Sequence, residues 1–265
     1  MTVREFDEFL IALDPDARGE SSPDGPKWGD LDAPVRGVAT TWMASMDVLR
    51  RAAERDLSLV IAHEPTFWYH GKPANPELAQ CARDGIDISF KTEFLEEHGM
   101  AVLRAHNNWD PYPEYGIEAC LREVLGLGEP VERLGGFFGL FEIEPTRLVD
   151  LARDYGGKLG LSCVRFAGAP GQMVRRFGLA YGASSGTQRY WQFREAGADA
   201  VVCGEAAEWP AIRPALDMGL GVLELGHQAT EEMGMDGLAR LLREHFPDVP
   251  IEHVPAEPSY GFARP

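Results

Sequence analysis

Leu57-Ser58-Leu59-Val60-Ile61-Ala62-His63-Glu64-Pro65 decides how this chain is built. Leu57 to Ala62 is a short, nearly continuous apolar run ended by a polar pair and a proline, which reads as a buried strand. Upstream, Val35 to Trp42 reads as another strand and Met46 to Asp56 as a helix. A strand-helix-strand unit implies parallel strands covered by helices, hence an α/β fold. Ligand sites in open parallel sheets gather beyond the carboxyl ends of the strands, and His63-Glu64-Pro65 is expected just past such an end.

The same logic extends in both directions. Thr2 to Leu13 puts Phe6, Phe9, Leu10 and Leu13 on one helical face with Thr2 as a possible cap. Pro15 to Pro34 is rich in Pro, Gly, Ser and Asp and reads as a loop. A helical region follows Pro76, and Met100 to Ala105 reads as a third strand that ends in His106-Asn107-Asn108-Trp109-Asp110. Glu114 to Leu125 is a helix, and glycine-broken Gly126 to Gly136 marks a domain boundary, giving an expected division into residues 1–130 and 131–265. Beyond it, Phe137 to Ile143, Cys163 to Ala167, Arg176 to Tyr181 and Asp199 to Cys203 read as strands. Pro145 to Tyr155, with Pro at its start, and Glu208 to Met218 read as helices. Gly221 to Leu225 is a further strand, followed by Gly226-His227-Gln228-Ala229-Thr230-Glu231 and a helical pattern from Met233 to Phe246. His227 and Glu231 are four positions apart, so their side chains can converge on one cation. A loop histidine beside a helix N-terminal glutamate also has a plainer explanation in the helix dipole.

With 265 residues, the chain is long enough for one large or two small domains with a substantial core. A formal net charge of -17 disfavours a nucleic-acid partner held through phosphates. No apolar run is long enough to cross a bilayer, and an acidic N-terminal stretch replaces the basic-then-apolar pattern of a signal peptide, so a cytoplasmic location without membrane contact is expected. Cys81, Cys120, Cys163 and Cys203 form no C-x-x-C pair and read as small apolar residues.

Three strand ends thus present His63 with Glu64, Asp110 with His106 before it, and His227 with Glu231. Two imidazoles and three carboxylates suit two divalent cations, one carboxylate bridging. Position 67 is Phe, so H-E-x-x-H is absent, as is the P-C-x-x-C of zinc deaminases. Phe67, Trp68 and Tyr69 are suited to stacking on a heterocycle or to the core. His106 and Glu205 are candidate acid-base groups, with Glu208 a third carboxylate near the latter. Gly182-Ala183-Ser184-Ser185-Gly186 fits the G-x-S-x-G nucleophile elbow, which would make Ser184 the nucleophile of a serine hydrolase. The motif comes late in the chain, however, and no HGGG-like oxyanion loop precedes it. Its alternative is a Gly-rich turn that permits close helix-strand contact.

Four blocks together resemble the Nif three-like family of dinuclear metal-centre proteins, often labelled type two GTP cyclohydrolase I homologues: Val35 to Trp42 leading to Leu59 to Pro65, Ala105 to Asp110, Gly197 to Glu205, and Gly226 to Glu231. The resemblance implies two interlocked α/β units with a metal cleft between them, the strand and helix of 221–246 returning to that cleft, in the short form without an inserted domain. It implies metal ligands His63, Glu64, Asp110, His227 and Glu231, with Glu231 bridging, and a toroidal homohexamer. The family usually has two adjacent histidines where this chain has His63-Glu64. With three carboxylates, two divalent cations would carry about one net positive charge in place of about two. That oxygen-rich set should shift preference from zinc towards manganese, iron or magnesium. The expected function is metal-dependent hydrolysis of a small molecule, with a cyclohydrolase-type reaction as the form that the family label implies. The rival is a non-catalytic hexameric ring that stores or delivers metal.

Overall fold

The computed structural model describes residues 1–17, 22–71, 76–135, 138–183 and 186–263. In chain order its regular elements begin with α1 (Val3–Leu13), β1 (Gly25–Trp28), β2 (Val38–Met43), α2 (Met46–Glu54), β3 (Leu59–Glu64), α3 (Glu77–Arg83), α4 (Ser89–Glu97), β4 (Ala101–Arg104) and α5 (Ile117–Leu125). They continue with β5 (Glu132–Arg133), β6 (Gly139–Arg147), α6 (Leu148–Lys158), β7 (Arg165–Ala167), β8 (Met173–Ala183), α7 (Thr187–Glu195), β9 (Ala200–Glu205), α8 (Arg213–Asp217), β10 (Gly221–Glu224), α9 (His227–His245) and β11 (Ile251–His253). By their contacts they form two units, Met1–Ile117 with Gly234–Glu257, and Glu118–Met233 with Pro258–Pro265.

The first unit carries a five-stranded sheet of order β1-β4-β3-β2-β11. Its β4, β3, β2 and β11 are parallel, and β1 pairs antiparallel to β4. All six residues of β3 are buried, as expected for an inner parallel strand with both faces covered. Val60, Ala62 and Val102 pack with Leu49 of α2 and Phe67 in one apolar cluster. Burying each larger side chain of this kind stabilises the fold by about 1.5–3 kcal/mol. The second unit carries a six-stranded sheet of order β5-β6-β8-β9-β10-β7. There β8, β9 and β10 are parallel, and the flanking pairs are antiparallel. Val201, Cys203 and Val222 of this sheet pack with Tyr190 and Phe193 of α7.

Most expected elements are present, and the differences have physical causes. The Pro15–Pro34 stretch is more than loop. Gly25-Pro26-Lys27-Trp28 is an edge strand, a place in a sheet where a proline can sit without breaking an inner ladder. Pro145 lies inside β6, not at the head of a helix. It falls in the register shift between Glu142 and Thr146, where a residue without an N–H is tolerated. The helix expected from Glu208 to Met218 is split into a π-helical turn at Glu208–Ile212 and α8, because Pro210 and Pro214 each remove a helical N–H. β3 runs through His63 and Glu64, and α9 starts at His227, so these residues belong to the elements themselves. The start of the expected strand at Phe137 lies outside the described residues.

Candidate metal centre

In the first unit, the ends of β3 and β4 and the turn after β4 bring four of the expected residues together. His63 is fully buried on β3. Its Nδ1 donates to the carbonyl of Ala105 at 3.0 Å, which makes Nε2 the lone-pair nitrogen. Nε2 lies 3.5 Å from Asp110 Oδ1. The backbone N–H groups of Trp109 and Asp110 both donate to the carbonyl of His106 at 2.9 Å, a turn that sets His106 and Asp110 on one side. His106 Nδ1 is then 3.4 Å from Asp110 Oδ2, and its Nε2 is 3.6 Å from Glu64 Oε1. The rings of His63 and His106 stack nearly parallel, with centroids 4.3 Å apart.

The turn is fixed from outside. Asp24 accepts the His106 and Asn108 backbone N–H groups, Asn108 Nδ2 donates to the Leu10 carbonyl at 2.8 Å, and Trp109 Nε1 donates to the Gly234 carbonyl at 2.9 Å. On the other side, the chain leaving β3 is held by buried groups. Glu77 accepts the Phe67 N–H at 2.6 Å, and Lys91 Nζ donates to the Thr66 carbonyl at 2.5 Å. Burial raises the Glu77 pKa and pushes the Lys91 ammonium down to about 8.

Two neighbours of this cluster escaped the sequence reading. Arg104, the last residue of β4, is fully buried, with Nη2 3.6 Å from Glu64 Oε2. His70 is exposed, with Nε2 4.0 Å from the same oxygen, and its pKa is lowered by desolvation and then by Arg104. The signal for Arg104 was a charged residue in the otherwise apolar run Met100 to Ala105. A lone histidine in the loop after β3 offered none.

In the second unit, His227 and Glu231 sit one turn apart at the start of α9, with Nε2 and Oε2 3.0 Å from each other. His227 Nδ1 is 3.3 Å from Glu205 Oε1, at the end of β9. If the partly exposed Glu205 accepts the Nδ1 proton, Nε2 offers its lone pair towards Glu231, and a proton or a cation between the two relieves their repulsion.

Glu231 is seated on bare backbone. Gly182, at φ +64° in the last turn of β8, leaves so little room that a Cβ would fall 1.9 Å from Glu231 Oε1. The register of β8 against β9 shifts between Ala180 and Ala183, a bulge of the kind that re-aims residues beside functional sites. A Cβ on Gly204 of β9 would meet Gly182 O at 2.3 Å. The buried Thr230 hydroxyl accepts the Gly182 N–H at 3.0 Å and is anchored to the carbonyls of Gly226 and His227. Gly182 of the elbow-like motif is therefore required by the approach of α9, which fits the Gly-rich-turn reading. Ser184 lies outside the described residues.

Imidazole nitrogens with carboxylate oxygens form a donor set for zinc, manganese or iron. The donor separations of 3.4–3.6 Å in the first unit are slightly longer than the edge, about 3.3–3.4 Å, of a tetrahedron with metal–ligand bonds of about 2.0–2.1 Å. His63, His106 and Asp110 each offer one ligand atom within 4.8 Å of the others, as do Glu64, His70 and His106. The residues present thus fit a divalent cation.

Two mixed sheets covered by helices, with histidine–carboxylate clusters at their strand ends, define an α/β protein with candidate cation sites. The model of Duf34/NIF3 (NGG1p interacting factor 3) matches residues 1–259, and the chain belongs to that family. A Pseudomonas aeruginosa protein named GTP cyclohydrolase 1 type 2 homolog is 29% identical over 230 residues, covering 83% of this chain and 82% of the relative. One of the same name from Pyrococcus abyssi is 27% identical, covering 91% and 94%. A solved Bacillus cereus protein related to NIF3 shares the fold with a TM-score of 0.78 at 16% identity, covering 100% of this chain and 99% of that one. Among the described residues, no helix is long and apolar enough to cross a membrane.

Proposed function

We propose that this NIF3-family protein binds two divalent cations (zinc, manganese, iron or magnesium) through His63, Glu64 and Asp110 of the first unit and His227 and Glu231 of the second, and hydrolyses a small molecule there. The observation that carries this reading is the cluster of buried His63 and Asp110 with half-buried His106, with donor atoms near ligand spacing and the His63 tautomer fixed by Ala105. The names of the curated relatives support a cyclohydrolase-type reaction as its finer form. Bound divalent cations supply Lewis-acid polarisation of the substrate and a more acidic water.

The chain's own groups orient and move protons. Ala105 holds the His63 ring, and Glu205 holds His227. His106, partly open to solvent and 3.6 Å from Glu64, is placed to carry a proton to or from the substrate. A homohexamer in the cytoplasm, without nucleic-acid or membrane partners, belongs to the same reading, and light scattering on the purified protein tests the hexamer.

Elemental analysis of protein purified without added metal, with turnover assays on nucleotides, phosphoesters and cyclic amides, tests the function. About two metals per chain are expected, with chelator-sensitive turnover lost in His63→Ala and His227→Ala. Metal binding without turnover on any substrate would favour storage or delivery of metal instead. Metal content unchanged in both variants would remove the site altogether.

A further inference from the structure

Arg104 is a poor place to put a cation unless something nearby needs one. It is fully buried on β4 opposite Ala62 of β3, and its Nε donates to the His63 carbonyl at 2.7 Å. Nη2 faces Glu64 Oε2 at 3.6 Å and His70 Nδ1 at 3.5 Å. Nη1 is buried with no hydrogen-bond partner among the described residues. The guanidinium is thus held more by charge than by saturation of its donors, and Glu64, Glu77, Asp24 and Asp110 all oppose the desolvation it suffers. A buried guanidinium costs several kcal/mol if unpaired and stays protonated.

The carboxylates face the converse problem. Glu64 and Asp110 are both buried beside the two stacked imidazoles. Two buried carboxylates repel each other unless a positive charge lies beside them. Arg104 faces one oxygen of Glu64 while the other oxygen faces His106.

We propose that Arg104 is the built-in counter-ion of the first-unit cluster. It orients Glu64 through the buried charge beside it, with Oε2 turned to the guanidinium and Oε1 left facing His106, where a divalent cation would be received. The charge that Glu64 adds is thereby offset within the protein, so the charge count based on the ligands alone overstates the shift away from zinc. The cation-binding step of this inference rests on the function proposed above; the Arg104–Glu64 coupling does not.

The coupling is read in the full-length protein with chelator present. Arg104→Met and Glu64→Gln should each lower the melting temperature by roughly 6–15 °C, since each leaves one buried charge without its partner. The double variant should lose clearly less than the sum of the two. Losses that simply add would overturn the proposal.

Titration with zinc alone then tests the ligand role. Arg104→Met should bind at least about tenfold more weakly than the parent, and Glu64→Gln likewise. The double variant should be no weaker than the weaker single, as expected for two residues acting as one unit. Binding as tight as the parent or tighter in Arg104→Met would mean that the guanidinium merely repels the ion, and would overturn it. Should Arg104→Met not fold, Arg104→Lys takes its place: zinc affinity within about threefold of the parent supports the counter-ion role, and a loss equal to that of Glu64→Gln ends it. If the parent binds none of zinc, manganese, iron or magnesium, the metal-binding function fails, while the melting data still decide whether Arg104 and Glu64 are coupled.

Discussion

Glu64 and Glu231 are both buried carboxylates next to a histidine, yet the two units hold them by different means. Glu64 is the last residue of an inner parallel strand and has a guanidinium beside it. Glu231 lies one turn into a helix, and its space comes from the missing side chain of Gly182. One arrangement is electrostatic and depends on a single long side chain. The other is steric and depends on backbone approaching backbone. The first unit should therefore be sensitive to charge changes that preserve shape, and the second to added volume that leaves charge alone.

The largest expected effect is in the steric half. Gly204→Ala would press a methyl against the Gly182 carbonyl and amide, which are backbone and cannot rotate away. A loss of about 3 kcal/mol or more by urea denaturation is expected, at the upper end for overpacking. A loss below about 1 kcal/mol would show that the bulge between β8 and β9 gives way, and the steric half of the contrast would fail.

The electrostatic half makes its claim through pH. Lys91, near the loop that follows β3, is a basic group whose folded pKa, about 8, lies below its ordinary 10.5. Between those values the unfolded chain binds more protons than the folded one, so stability rises as pH goes from about 8 to 10.5 and is lowest, as far as this group is concerned, below 8. The parent should gain on the order of 3 kcal/mol over that window relative to Lys91→Met, by parallel denaturation at pH 7 and pH 10.5. Curves that stay parallel across the window would remove Lys91 as a strained buried cation.

Gly182→Ala should cost about 2 kcal/mol, combining the left-handed backbone with the displaced Glu231. Its sharper readout is metal content, which should fall with this variant though no donor atom has been changed. Full metal content would mean that Glu231 can shift without consequence. The smallest effect belongs to Thr230→Val, which keeps the shape and removes the acceptor of the Gly182 N–H. About 1–2 kcal/mol is expected, the usual cost of a buried donor left unsatisfied. Hydrogen exchange at Gly182 should quicken in this variant, and unchanged exchange would show that the hydroxyl does not hold that strand end.

The inner strands were the most legible part of the fold, because Leu59 to Ala62 and Ala200 to Cys203 have no polar alternative to burial. The edges were less so. β1 contains Gly25 and Pro26, which read locally as turn residues, and only a partner strand makes them part of a sheet. Pro145 looked like a helix start for the same local reason. Among the candidate ligands, His63, Glu64 and Asp110 of the first unit and His227 and Glu231 of the second could be singled out from residue type, position at strand ends and family resemblance. Gly182 was visible only as part of a serine motif, because the atom it makes room for belongs to a distant segment.

Residue order alone determined the alternation of strands and helices, the family, and the segments that carry imidazoles and carboxylates. Those properties follow from hydrophobic period and residue chemistry, which are local. Tertiary structure decided that His106 stacks on His63, that Arg104 supplies the charge facing Glu64, and that a glycine is the seat of Glu231. Each is a through-space relation set by strand register or close backbone approach, and no single segment's pattern encodes the distance to its partner.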